Sequence, residues 1–157
     1  MKIRNLFPFF FIILFSFYSF SQYNGSTPWD NCFGKNAECK YVGCSDIKVN
    51  ASSSPVLVIV KKFGKVIKHA YVSSNNSYTF EVSDGTYQVF FYYGKNWSST
   101  KKMNSGECSY IYGGWIDNEY VSKDNPITLK GQIMTYTLTE VTYGNFSPKS
   151  STLNEAL

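Results

Sequence analysis

Arginine is almost missing from this chain. Of 157 residues, Arg4 is the one arginine, and it falls in a leader discussed below. Without Arg forks for phosphates or base edges, and with lysines scattered except for Lys61-Lys62 and Lys101-Lys102, the lysines read as a solvated surface and nucleic acid is not the partner expected. Histidine is nearly as scarce. His69 stands alone, and a catalytic imidazole needs a nucleophile and an orienting acid. No Gly-x-Ser-x-Gly elbow is present, and no motif calls for a cofactor or a metal. Beyond the leader no window repeats apolar residues at helical spacing, which argues against a helical core. No cysteine lies near the end of the leader, so lipoprotein-type acylation has no acceptor there.

Aromatic residues, by contrast, are plentiful at 18% of the chain. The first residues set the destination. Lys2 and Arg4 precede an apolar run from Leu6 to Phe15, and Ser19-Phe20-Ser21 offers the small residues that a signal peptidase reads. This predicts a secretory signal peptide over 1–21, cleaved after Ser21, rather than a membrane anchor, which needs about 20 apolar residues. Removing 21 residues from 157 leaves 136, enough for one domain. Removing Lys2 and Arg4 from 15 basic residues leaves 13 against 11 acidic. The expected destination is secreted: periplasm, cell surface or medium, with no stable membrane insertion after cleavage.

Four cysteines, Cys32, Cys39, Cys44 and Cys108, read as two disulfides in an exported chain. Intervening lengths of 6, 4 and 63 residues do not match paired zinc-ligand patterns. Three cysteines cluster at the N-terminus, so at least one bridge must reach Cys108. The pairing expected is Cys44–Cys108 with Cys32–Cys39 local.

The stretch Tyr78–Tyr93 organises the rest. Tyr78, Phe80 and Val82 alternate with polar residues. After Ser83-Asp84-Gly85, a strong turn signal, Tyr87, Val89, Phe91 and Tyr93 share one face. Phe90 and Tyr92 on the opposite face must therefore be covered or deliberately displayed. Further strands are predicted at Asp46–Ala51, Val56–Lys62, Val66–Val72, Cys108–Trp115 with a bulge, Ile127–Leu129, and Ile133–Tyr143 as the last. Gly94–Gly106 reads as a long polar connection. The fold class is all-β, an antiparallel sandwich of about seven or eight strands. It divides into a Cys-rich N-terminal segment over 22–45, cross-linked rather than packed, a sandwich over 46–145 and a flexible polar tail over 146–157.

The series VLVIVKKFGKVIKHAYV followed by SYTFEVSDGTYQVFFYYGK resembles transthyretin-like sandwiches such as carboxypeptidase regulatory-like domains, over about residues 46–95. In those, a Gly-Thr-Tyr triplet like Gly85-Thr86-Tyr87 opens a core strand. The resemblance implies a non-catalytic accessory or binding module and carries over no site residues. The whole chain also resembles small exported bacterial proteins, a likeness that brings no activity with it.

The binding candidates are aromatic: Tyr92, Trp97, Tyr110, Tyr112 and Trp115, with Phe90 beside them. Trp97 and Trp115 neighbour glycines and amides in expected loops, where rigid amphipathic rings suit a sugar or peptide. The competing reading is that these rings fill the core. His69 reads as a surface or packing residue. Asp117, Glu119 and Asp124 with Asn118 and Asn125 fit no EF-hand spacing and read as a polar loop. The function expected is a secreted non-catalytic module that binds a protein or glycan partner. A hydrolase of cell-surface polymer, resting only on export and scattered carboxylates, and a secreted effector or structural component are the alternatives. Sequons at Asn24, Asn50, Asn75, Asn96 and Asn145 matter only in a host that glycosylates exported Asn.

Overall fold

The computed structural model describes residues 22–40, 43–139 and 148–157. The expected signal peptide, residues 140–143 of the last predicted strand and the Asn145 sequon lie outside these residues. The described elements are α1 (Asp30–Phe33), β1 (Cys44–Ala51), β2 (Val56–Lys62), β3 (Lys65–Val72), β4 (Ser77–Ser83), β5 (Gly85–Met103), β6 (Ile111–Lys123), β7 (Ile127–Leu129), β8 (Ile133–Leu138), β9 (Lys149–Ser151) and α2 (Leu153–Ala156). The all-β sandwich stands, with nine strands among the described residues. A small sheet has the order β4-β1-β8, and a large one the order β3-β2-β5-β6-β9, with β7 on the start of β5. The pairing is antiparallel except between β1 and β8, which run parallel.

The run Val56–Val60 explains the layering. It is apolar without alternation because the large sheet is buried on both faces. Val56, Val58 and Val60 turn towards the small sheet and pack with Ile47, Val49, Phe80, Val82, Val89, Phe91 and Tyr136. Leu57 and Ile59 turn the other way, onto a second core with Phe90, Tyr92, Trp115 and Val121. That second core is roofed by Trp29 from the N-terminal segment and by Ala156 and Leu157 from the C-terminus. Phe90 and Tyr92 are thus covered, each exposing 2% or less. Full burial contributes roughly 1.5–3 kcal/mol for each large apolar side chain.

Local signals set the turns. Phe63 and Gly64 both take positive φ, 52° and 78°, between paired Lys62 and Lys65. That is the two-residue turn whose twist suits a hairpin, with Phe63 in a conformation more usual for Asn. The turn at Asp84-Gly85 is also present, but β4 and β5 do not pair. It carries the chain from the small sheet to the large one, and Asp84 Oδ1 ties it down by accepting from Ser45 Oγ and the Gly131 N–H. The edge of β3 is closed by the N-terminal segment. Gly25 N–H donates to the Tyr71 carbonyl, Tyr71 N–H donates to Ser26, and the Asn36 side chain bonds both backbone groups of His69. Such capping removes an aggregation-prone edge.

Four expectations need correction. The disulfides are Cys32–Cys108 and Cys39–Cys44. Cys108 packs with the second core, whereas Cys44 begins a strand of the small sheet, so the large sheet stands between them. The segment around Trp29 is packed as well as cross-linked. Gly94–Gly106 is no connection up to Met103, because β5 runs on through nineteen residues against β6. The predicted frayed tail holds structure in its described part: β9 pairs with β6, and α2 buries Ala156 and Leu157. The sequence Thr152-Leu153-Asn154-Glu155 carries the helix-start signal for it, with Thr152 Oγ1 accepting from the Glu155 N–H.

Candidate functional site

Beyond Tyr93 the β5–β6 hairpin extends as an arm. Its strands hold register through Trp97↔Trp115, Ser98↔Gly114 and Lys102↔Tyr112, with shifts between Tyr93 and Lys95 and between Ser98 and Lys102. Asn96 and Asn118 take φ of 56° and 49° near the first shift, and Asn96 Nδ2 donates to Asp117 Oδ2 at 2.6 Å. Asn tolerates this left-handed conformation better than most residues, which suits it to an irregular ladder. Gly94 is required by close approach: a Cβ there would lie 2.3 Å from that of Trp115.

The N-terminal segment lies across one face of this arm. Three tethers hold it. The Cys32–Cys108 bridge links the two directly, Trp29 Nε1 donates to the Gly113 carbonyl at 2.9 Å, and the Trp29 backbone N–H donates to His69 Nε2 at 3.0 Å. Trp29 is stacked on His69 with centroids 5.7 Å apart and on Tyr92 at 6.4 Å. Gly113 has φ of 109°, and a Cβ there would approach Trp97 Cζ2 to 3.0 Å, so a bare backbone is what lets both indoles close on it.

Between segment and arm lies a cavity of about 380 Å³. The N-terminal segment contributes Gln22, Pro28, Trp29, Asn31 and Cys32 to its lining, and the rest comes from Trp97, Ser99 and the stretch from Cys108 to Gly113 without Ser109. Three of the five ring residues expected to bind, Trp97, Tyr110 and Tyr112, therefore meet at one site. Tyr110 and Tyr112 are about half exposed, and their rings meet edge-on at 5.3 Å. Lys102 places its ammonium 4.3 Å from the Tyr110 ring centre. Trp97 is partly buried and touches Tyr71 and Trp115 in T-shaped contacts, with no ring stacked flat on it among the described residues. Its Nε1 has no hydrogen-bond partner among the described residues.

The other two, Tyr92 and Trp115, are a correction: they are core, exposed by 1% and 3%. They lock each other behind the cavity. The Trp115 N–H donates to Tyr92 Oη at 3.1 Å, and Trp115 Nε1 donates to the Tyr92 carbonyl at 3.2 Å. Tyr92 Oη in turn donates to Glu119 Oε2 at 2.6 Å, the oxygen that also pairs with Lys101 at 2.6 Å. Burial pushes the Tyr92 phenol well above its usual range, and the bond to Glu119 adds to that. Burial also raises Glu119, but the bonds from Lys101 and Tyr92 outweigh it and hold the carboxyl below the ordinary range.

His69 is a packing residue, fully buried between Trp29 and Phe33. Burial lowers its pKa to about 4, against weaker pulls from the Thr27 backbone and the Asp30 charge. Neutral at ordinary pH, it can accept from Trp29. Its Nδ1 has no partner among the described residues. The acidic residues read as a loop are spread along β6 and beyond. Asp117 holds Asn96, Glu119 holds Lys101 and Tyr92, and Asp124 accepts from the Tyr136 hydroxyl at 3.0 Å. Among the described residues, no group of three or more His, Cys, Asp or Glu side chains is placed to hold a metal ion.

Sequence reasoning missed Trp29, which roofs the second core, and the polar lining residues Gln22, Asn31 and Ser99. The signal for the segment was a Trp three residues before a Cys, in a stretch otherwise made of turn formers. No family model matches this chain, and no curated protein or solved structure matches it.

Proposed function

We propose that this chain is a secreted, non-catalytic β-sandwich module that binds a protein or glycan partner by taking a protruding group into the cavity beside the β5–β6 arm. One observation carries the reading: Trp97, which borders the second core, and Tyr110 and Tyr112 line one opening together with the Gln22 and Asn31 amides and the Ser99 hydroxyl. Rings facing polar side chains across a concave wall suit binding of a partly apolar, partly hydroxylated or amide-bearing group. No carboxylate or imidazole stands among the lining residues, which favours binding over a hydrolase.

Export is supported by the leader pattern and by two disulfides with no free cysteine among the described residues. Among those residues no helix is long and apolar enough to cross a membrane. The transthyretin-like reading stays a resemblance of sequence over about residues 46–95, where β2 and β3 form a hairpin and Gly85-Thr86-Tyr87 opens β5.

The test is capture of partners by the exported protein, on immobilised glycans and from surface extracts, with wild type beside Trp97→Ala and Tyr112→Ala. The expected result is a partner retained by wild type and lost by both variants. A partner retained equally by all three would move the site elsewhere.

A further inference from the structure

We infer that the cavity's occupant is an uncharged sugar, a pyranose ring that lays a C–H face on Trp97 or Tyr112 and turns its hydroxyls towards Gln22, Asn31 and Ser99. This rests on the binding reading above and narrows it to one class of ligand.

Charge is the first argument. The lining side chains offer rings, amides, hydroxyls and the Cys32–Cys108 bridge, and no Asp, Glu, Lys or His; cleavage after Ser21 adds one positive group there, the α-amino group of Gln22. A cationic ligand entering there would lose hydration with no opposite charge to replace it. An uncharged pyranose has no such penalty. The ammonium of Lys102, over the Tyr110 ring, and the Gln22 terminus are positive, so an acidic sugar is the rival that glucuronate tests.

Matching chemistry is the second. A pyranose has one face of C–H groups and a rim of hydroxyls. The cavity offers both kinds of partner: ring residues from the arm and from Trp29, and the Gln22 and Asn31 amides with Ser99, Gln22 Oε1 already accepting from Ser26 Oγ at 2.7 Å. Amides donate and accept, as sugar hydroxyls do, so each pair can be satisfied in either sense. The ring faces are electron-rich, and the C–H bonds of a sugar are weakly positive.

Size is the third. At about 380 Å³ the cavity stands near the small end of ligand sites, which run roughly from 300 to 1,000 Å³. It suits a terminal ring or a short terminus of a glycan, not a long stretch of polymer. A peptide segment would need an extended groove or a row of main-chain partners. The arm's exposed tyrosines surround an opening instead.

The experiment is a titration of the exported, oxidised protein followed by tryptophan emission, since Trp97 and Trp29 both line the cavity. The probes are glucose, galactose, mannose and N-acetylglucosamine with their β-linked disaccharides; glucuronate and a proline-rich peptide are the rival arms. The expected result is saturable binding of at least one neutral sugar with Kd of about 1 mM. Trp97→Ala and Tyr112→Ala should each weaken it about tenfold or more, and Asn31→Ala severalfold, with the melting temperature of Tyr112→Ala and Asn31→Ala unchanged. Glucuronate or peptide binding through Trp97 without any neutral sugar would overturn the sugar assignment and leave the binding module standing. No neutral sugar bound by folded protein at tens of millimolar would also overturn it. Failure of partner capture as well would remove the wider reading.

Discussion

Trp29 donates its indole N–H to the carbonyl of Gly113, a residue 84 positions away, at 2.9 Å. The contact joins the Cys-rich segment to the arm that it roofs, and it sits at the back of the candidate site.

Replacing Trp29 with Ala should therefore destabilise the fold by about 3–5 kcal/mol, the range for emptying a large aromatic from a core. Trp29→Phe keeps most of the apolar volume but leaves the Gly113 carbonyl without its donor, and about 1–3 kcal/mol is expected. Urea unfolding measures both. Equal stability of Trp29→Ala and wild type would mean that the segment does not roof the second core.

The cross-links should differ in weight. Cys32–Cys108 joins residues 76 apart and Cys39–Cys44 residues 5 apart. In the chain-entropy model these correspond to about 4.5 and about 2 kcal/mol. The double variant Cys32→Ser, Cys108→Ser should thus lose roughly twice the stability lost by Cys39→Ser, Cys44→Ser. Non-reducing peptide mapping should recover the two pairs as named; a peptide joining Cys44 to Cys108 would contradict the architecture.

Acid should act through His69. Its folded pKa is lowered from the ordinary 6.5 to about 4. The unfolded chain thus takes up this proton as pH falls below 6.5, while the folded chain stays neutral until about 4. Stability is fully present above 6.5 and is lost as pH falls through this window, by about 3 kcal/mol in all. The carboxylates held low, Asp84, Glu119 and Glu155, add their own losses as pH falls through their ordinary values of 3.8 and 4.5, at the acid end of this window and below it. In urea titrations, wild type should weaken from pH 7 to pH 5 while His69→Phe, less stable throughout, should stay flat there. A flat wild-type profile would refute the burial account.

The sheets were legible where a strand's own residues declare it. Val56–Lys62 and Ile127–Leu129 lie at the predicted positions because unbroken β-branched runs, or a short run behind Pro126, have few other uses. The far half of β5 was not legible. Ser98, Ser99 and Thr100 show no alternation of burial, and their ladder depends on β6, which sequence alone does not place. The C-terminus misled for the same reason: Ala156 and Leu157 look unremarkable until β9 brings them over the large sheet. At the site, Trp97, Tyr110 and Tyr112 line one cavity. Tyr92 and Trp115 belong to the same second core that Trp97 borders, with Trp115 opposite Trp97 in register, and they differ in lying deeper, under a cover that depends on Trp29 and on a bridge whose pairing the spacing could not supply.

The two-faced burial of the large sheet also bears on how the polypeptide is made. A growing chain that has emerged through β2 has already delivered Trp29 and the Val56–Val60 run, but neither Gly113 nor Cys108. Until those arrive, a five-residue stretch with every hallmark of a self-adhesive segment waits uncovered on its outer side. A chain in which the β5–β6 hairpin has not yet formed therefore leaves open the stretch most able to pair with its own copies.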